Sequence, residues 1–274
     1  MRANESKVMS TSLKTTIPVE EFDSQMETTG WFLFEDVVDP ALVKELIADL
    51  EQAYEIRRPI QIKNGVDANT EGTAHHLLAD GKSFVEFLKR AYLDEYLKSY
   101  FEGNYILNAY GGNLNLKKNF TYASNVHRDV RTYKREIKFL LNIIVMLDDF
   151  TLDNGATYLL GGSHLRQEKP SDDEFFTRAG RAVGKSGSIV FWDSNIWHAA
   201  GENKTELPRR SLSLIYSKPF MKQQFDYPRS VGYENIEALP EKFRQIVGYN
   251  ARVPATLDEW YQPPEKRFYK KDQG

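Results

Sequence analysis

His127-Arg128-Asp129 and, 69 residues beyond Asp129, His198 are the residues of this chain best suited to do chemistry. Two imidazoles and one carboxylate make up the facial triad, which binds ferrous iron on one side and leaves the other side open. Alternate residues of an extended segment point the same way, so His127 and Asp129 can grip one ion from a single strand end. His198 follows Gly187-Ser188-Ile189-Val190-Phe191-Trp192, a buried-strand pattern that ends in a loop and can return a third ligand beside the pair. The pair alone is a weak signal. The chain has five histidines, and an isolated HxD is more often a surface turn than a metal site.

An arginine eleven residues after His198 makes the combination far more specific. Iron held by three protein ligands keeps three positions free. A 2-oxo acid takes two of them through its 1-carboxylate and 2-keto oxygen, leaving one for dioxygen. The far carboxylate of 2-oxoglutarate then needs a cation inside the protein, and the planar fork of a guanidinium matches it with two parallel hydrogen bonds. The segment Leu207-Pro208-Arg209-Arg210-Ser211-Leu212-Ser213-Leu214-Ile215-Tyr216 reads as a strand that opens on two arginines. Period-two alternation puts only one of them inside. The inward set is Arg209, Ser211, Ser213 and Ile215, or Arg210, Leu212, Leu214 and Tyr216. The polar character of the first set favours Arg209 as the anchor, with Ser211 nearby.

These residues need a rigid frame. Gly30-Trp31-Phe32-Leu33-Phe34 reads as a short strand. Asp39 caps a helix that starts at Pro40 and carries Leu42, Leu46, Ile47 and Leu50 on one face. Residues 57–82 are polar and of uncertain structure. Ser83 begins a second amphipathic helix running to about Phe101. From Tyr105 to Tyr216 short strands alternate with turns, as in a two-sheet barrel. Residues 165–180 form a charged insertion, and Leu239 to Gly248 a short helix. The predicted organisation is a polar tail over 1–17, one domain over 18–274 with its barrel core at about 105–220, and a C-terminal extension over 221–274.

Composition narrows the function classes. The 274 residues are 41% hydrophobic, enough for a sizeable core. A net charge of −3 without a basic block gives no reason to expect nucleic acid. The absence of cysteine excludes disulfides, thiolate metal sites and cysteine nucleophiles. Phe139 to Leu147 is the longest apolar stretch, too short to span a bilayer and broken by Asn142, so no membrane partner is expected. No signal-peptide pattern opens the chain, and a cytoplasmic location is expected.

The ordered motifs resemble the phytanoyl-CoA dioxygenase family of iron(II)- and 2-oxoglutarate-dependent oxygenases. The matching pieces are His127-Arg128-Asp129, Asn154-Gly155-Ala156-Thr157 with Gly161-Gly162-Ser163-His164, Gly187-Ser188 through Trp197-His198, then Asn203 and Arg209. Gly161 stands where that family commonly has proline. The resemblance covers about residues 20–220. It implies a mostly β fold with flanking helices, a double-stranded β-helix of jelly-roll or cupin-like type. It implies iron(II), 2-oxoglutarate and dioxygen, with His127, Asp129 and His198 on the metal, and it selects Arg209 by spacing alone. With a carboxylate in the third position no site is left there for a chloride, so the chain reads as an oxygenase, usually a hydroxylase. Desaturation, epoxidation or ring formation can start from the same hydrogen abstraction.

Beyond that set, each residue has a structural reading beside the functional one. Thr157 is a packed strand residue or a hydroxyl near the oxo acid. Asn142 satisfies backbone groups or touches the cosubstrate. Asn113 and Asn115 raise the same choice. His164 reads as structural. His75, His76, Arg128, Arg131 and Tyr133 are candidate substrate contacts, and for each a solvated surface is the simpler account. A cupin-type isomerase or a zinc hydrolase also uses two histidines and a carboxylate, but neither explains Arg209. A non-catalytic metal-binding barrel would have lost part of the triad. The variable segments carry mixed charge and many tyrosines, which suits a polar small-molecule biosynthetic intermediate better than an acyl chain.

Overall fold

The computed structural model of the protein describes residues 17–117, 122–234, 236–270 and 273. Apart from Ile17, the polar tail predicted over 1–17 lies outside them. In chain order the elements are α1 (Val19–Thr28), β1 (Trp31–Phe34), α2 (Pro40–Lys63), α3 (Asp67–Thr70), β2 (Thr73–His75), α4 (Lys82–Lys89), α5 (Asp94–Phe101), β3 (Ile106–Asn115) and β4 (Leu140–Met146). They continue with β5 (Tyr158–Leu159), α6 (Asp172–Arg178), β6 (Gly180–Arg181), β7 (Ile189–Asp193), β8 (His198–Ala199), β9 (Arg209–Ser217), α7 (Tyr227–Val231), α8 (Glu241–Val247) and α9 (Leu257–Trp260).

Two antiparallel sheets make the jelly roll: six strands in the order β1-β7-β4-β9-β3-β2, and three in the order β6-β5-β8. Strand alternation gives the large sheet two different faces. Leu141, Ile143 and Val145 of β4, with Leu212, Leu214 and Tyr216 of β9, point into the main core beneath α1, α2, α4, α5 and α8. Asn142, Ile144, Ser211, Ser213 and Ile215 alternate with them and line a cavity on the inner side. Met146, Val190, Trp192, Leu159 and Ala182 fill the rest of the space between the sheets.

The helices that back this frame follow their sequence signals in part. Asp39 accepts a hydrogen bond from the Leu42 amide at 2.9 Å, and Pro40 opens α2. The helix then runs through Pro59 to Lys63, into the segment of uncertain structure. Pro59 forfeits one helix bond. Gln61 Nε2 donates to the Thr73 carbonyl at 2.9 Å and Arg57 Nε to the His75 carbonyl at 2.6 Å, so contacts with β2 hold the last turns. The single helix expected over 83–101 is two. Ala91 and Leu93 adopt left-handed backbone angles and break it into α4 and α5. The break turns Tyr96, Leu97, Tyr100 and Phe101 into the core, and Asp94, at the start of α5, accepts from the Tyr105 hydroxyl and pairs with Lys242.

Gly112 sets the contact between sheet and helices. A Cβ built there meets Leu50 Cδ1 of α2 at 2.3 Å, so a side chain would force the Leu50 side chain out of its place in the core. The segment after Phe220 returns to this helical side. Phe243, Ile246 and Val247 of α8 join the main core, and Gln245 donates to the Tyr105 carbonyl. Among the described residues no helix is long and apolar enough to cross a membrane.

Candidate metal centre

The turn after β7 delivers the distal histidine. Asp193 Oδ1 accepts from the Asn195 amide at 2.7 Å and from Asn195 Nδ2 at 3.0 Å, and the Ile196 amide donates to the Asp193 carbonyl. This tight turn swings the chain out of the six-stranded sheet and into β8. There the His198 and His127 backbones exchange both hydrogen bonds, at 2.9 and 3.0 Å. That single bridge is all the regular structure the 125–130 segment has, so the HxD pair sits on a short extended stretch rather than on a strand. The Asp129 amide donates to the Ser194 carbonyl at 3.2 Å, which fastens the carboxylate-bearing residue to the same turn.

The side chains converge. His127, Asp129 and His198 offer ligand atoms that all lie within 4.8 Å of one another. His127 Nε2 is 3.7 Å from one Asp129 carboxylate oxygen, and His198 Nε2 is 3.5 Å from the other. His127 Nδ1 lies 2.7 Å from the Asn125 carbonyl, and His198 Nδ1 lies 3.0 Å from that of Ile196. A carbonyl only accepts, so both Nδ1 atoms carry the proton and both Nε2 lone pairs are available to a metal. Burial, opposed by Asp129, pulls the His198 imidazole below its ordinary pKa and favours the neutral, ligating form.

The triad opens on a cavity of about 180 Å³. Arg209 lines it and is only 4% exposed, with its guanidinium carbon 4.0 Å from the centre of the Phe150 ring. Among the described residues its Nε and Nη1 have no hydrogen-bond partner. Burial lowers its pKa to about 9, which still leaves a cation at neutral pH. A buried cation with unused donors is costly and calls for an anion. Arg210 is different. It points to the helical face, where Asp148 accepts from it at 3.0 Å and Glu51 lies within 2.9 Å. Asn203 holds the turn that leads into β9, donating to the Asn115 and Leu207 carbonyls at 2.7 and 2.8 Å. The Asn154-Gly155 motif braces the opposite wall. Gly155 has φ +84°, and a Cβ there would meet the Gly201 carbonyl oxygen at 2.3 Å, so both conformation and space demand glycine.

Thr157, Asn142 and Ser211 line the same cavity, and Asn142 Nδ2 donates to Ser194 Oγ at 3.1 Å. The donor set and the unpartnered guanidinium together fit iron(II) and a dicarboxylic oxo acid: nitrogen and oxygen ligands on one side, open space on the other, and a cation at a distance from them. The five candidate substrate contacts do not line the cavity. Arg128 turns to the outside of its segment, as alternation from His127 requires. It stacks on Trp197 at 4.2 Å and donates to the Arg166 carbonyl. Tyr133 donates to the His164 carbonyl, and Arg131 lines a separate outer groove with both of them. His76 stacks on Phe225 and meets the Tyr227 hydroxyl at 3.1 Å, while His75 is exposed at the sheet edge. His164 is buried outside the triad, its Nε2 3.2 Å from the Glu27 carbonyl.

Sequence reasoning missed Trp192, which lines the cavity and packs 5.2 Å from the His198 ring. Alternation along β7 from Val190 was the available signal. It also missed Glu71 and Thr73, for which the sequence offers no motif.

Comparisons with known proteins bear on the family and the fold. A family model described as phytanoyl-CoA dioxygenase (PhyH) matches residues 26–211. The chain is 28% identical over 268 residues to an uncharacterized protein of Mycobacterium tuberculosis, covering 93% of this chain and 96% of that one. It is 23% identical over 261 residues to the dioxygenase cdmA of Talaromyces verruculosus, covering 85% and 84%. Among solved structures, the non-heme alpha-ketoglutarate-dependent epimerase SnoN from nogalamycin biosynthesis superposes with a TM-score of 0.57 at 16% identity, covering 73% of this chain and 80% of that one. AviO1 from Streptomyces viridochromogenes superposes with a TM-score of 0.56 at 20% identity, covering 75% and 97%.

Proposed function

The chain belongs to the phytanoyl-CoA dioxygenase family, and we propose that it hydroxylates a carbon of a polar small molecule, using iron held by His127, Asp129 and His198 and 2-oxoglutarate anchored by Arg209. The observation that carries this reading is the pairing of the convergent triad with a buried, unpartnered guanidinium in one cavity. Bound iron(II) and 2-oxoglutarate supply the activation of dioxygen, with one oxygen atom leaving in succinate alongside carbon dioxide and the other available to the substrate.

The protein's own residues then do four things. The Nδ1 hydrogen bonds to Asn125 and Ile196 fix both imidazole rings with Nε2 toward the metal. Arg209 takes the 5-carboxylate through its free donors, with the Ser211 and Thr157 hydroxyls on the same wall. Asn142 steadies Ser194, whose carbonyl holds the Asp129 amide. Ile144, Ile215 and Trp192 cover part of the cavity wall with apolar surface and limit water there.

The cavity favours a polar, uncharged substrate. Apart from Arg209, no guanidinium or ammonium group among the described residues lines it, and Asn113, Asn115, Thr73, Ser213 and Glu71 do. A phosphate-bearing substrate would have no cation left to meet. Screening by succinate formation, followed by mass spectrometry of the product, tests the reaction. The expected product gains one oxygen. Since the epimerase SnoN shares this fold, a product of unchanged mass, or one lighter by two hydrogens, would replace hydroxylation by epimerisation or ring closure.

A further inference from the structure

Among the described residues Trp192 is the only aromatic side chain on the cavity wall besides the two histidines of the triad. Strand β7 puts it there. It pairs with Asn142 of β4, another wall residue. Asp193 and Ser194 follow it directly, and the Ser194 carbonyl accepts from the Asp129 amide. The Trp192 ring centre lies 5.2 Å from that of His198. The side chain is 4% exposed and packs in the small core with Met146, Ala156 and Ile196. Close packing of this kind holds a ring in one place. An indole is thus fixed beside a metal ligand, on the wall of the space where a substrate carbon has to lie.

The other three tryptophans of the chain are placed differently. Trp197 precedes His198 in sequence but lines the outer groove, with Arg128 stacked on it and its Nε1 donating to the Glu168 carbonyl. Trp31 belongs to β1, at the edge of the large sheet, and is not on the cavity wall. Trp260 of α9 is 63% exposed. They serve as internal controls for what the position of Trp192 does.

An oxygenase that activates dioxygen with no substrate in place has to spend the second oxygen atom on something else, and closed sites exist in part to prevent this. The apolar wall offers Leu114, Ile144 and Ile215, all with saturated C–H bonds, and Trp192, whose electron-rich ring is the most easily oxidised of them. From this we infer that Trp192 is a self-modification site: in turnover without substrate the indole takes the oxygen atom that the substrate would have received. The step balances. 2-Oxoglutarate loses carbon dioxide and takes up one atom of dioxygen in the new carboxylate of succinate. The other atom enters an indole C–H bond, which becomes C–OH. Dioxygen gains four electrons, two from the oxo acid and two from the C–H bond, so no further reductant is needed. The inference rests on the oxygenase reading and adds to it a covalent modification of the protein itself.

Peptide mapping by mass spectrometry tests it. Wild-type protein loaded with iron(II) and 2-oxoglutarate is exposed to isotopically heavy dioxygen, with no substrate and no added reductant, and digested with trypsin. Peptide 186–204 holds Trp192, Trp197 and His198, which fragment ions tell apart. The expected result is a gain of one heavy oxygen at Trp192, at least about tenfold more than at Trp197 or Trp260, because proximity to the oxidising centre selects the ring. Omitting 2-oxoglutarate, or replacing it by N-oxalylglycine, is expected to leave Trp192 unmodified. Exposed Trp260 reports stray oxidation from solution. Succinate release with Trp192 unmodified, modification as strong at Trp260, or modification that does not need 2-oxoglutarate would overturn the inference. So would a protein that shows the anaerobic iron(II)–2-oxoglutarate absorption band yet releases no succinate without substrate. Absence of that band would strike the oxygenase reading itself, and the inference with it.

Discussion

Arg209→Ala is expected to raise the 2-oxoglutarate concentration needed for half-maximal turnover by at least about a hundredfold, while Arg210→Ala leaves it within about twofold. Arg209 is buried and has two guanidinium nitrogens without partners among the described residues. Removing one partner of a buried ion pair leaves the other charge uncompensated and costs about 3–5 kcal/mol. At about 1.4 kcal/mol per tenfold, that is two to three or more orders of magnitude in affinity. Arg210 is on the other face of the same strand and spends its charge on Asp148. Its loss is expected to appear in the unfolding midpoint instead. Titration of 2-oxoglutarate by succinate formation, run beside thermal unfolding of both variants, checks the pair. A raised requirement in Arg210→Ala with Arg209→Ala unaffected would mean that the cosubstrate lies elsewhere.

His198→Ala is expected to abolish metal retention and turnover together. His198 is 6% exposed, its Nδ1 is committed to Ile196, and its Nε2 has no other role in the cavity than to face Asp129. Its loss removes one of three protein ligands and leaves only the half-buried His127 and Asp129 at an incomplete site. Disturbing only the hydrogen-bond partners of metal ligands commonly costs about 10–100-fold in affinity, and loss of a ligand itself should exceed that. Equilibrium dialysis against cobalt(II), a non-oxidising stand-in, measures it directly. His164→Ala is the control: that histidine is buried but outside the triad, so metal retention should persist. Equal loss in both variants would point to general unfolding rather than to ligation.

The site was more legible in the sequence than the scaffold around it, and particular residues show why. Metal ligation confines residue types sharply, so His127, Asp129 and His198 stand out despite lying far apart. The side of β9 that faces the cavity could be read because polar and apolar residues alternate from Ser211 to Leu214, which puts Arg209 in step with the polar set. The break between α4 and α5 could not. Residues 90–93 contain neither glycine nor proline, and the left-handed angles at Ala91 and Leu93 are sustained by the packing of Tyr96, Tyr100 and Phe101 on the far side. The far end of α2 was equally hard to read, since contacts from Gln61 and Arg57 to β2 carry the helix past Pro59. The substrate side of the cavity was the least legible part. Thr73 and Asn113 are brought together by the pairing of β2 with β3, and no local pattern in the sequence announces that register. The C-terminal extension carries no motif that places it, and α8 packs on the helical side of the sheet, away from the cavity.

The account rests on one iron ion that binds at the triad and is chelated there by 2-oxoglutarate. Anaerobic absorption spectroscopy of the apo protein mixed with iron(II) and 2-oxoglutarate tests this most directly. The expected result is a weak visible charge-transfer band in the wild type that is lost in both His127→Ala and His198→Ala. No band in the wild type, or a band of the same position and strength in the two variants, would contradict it.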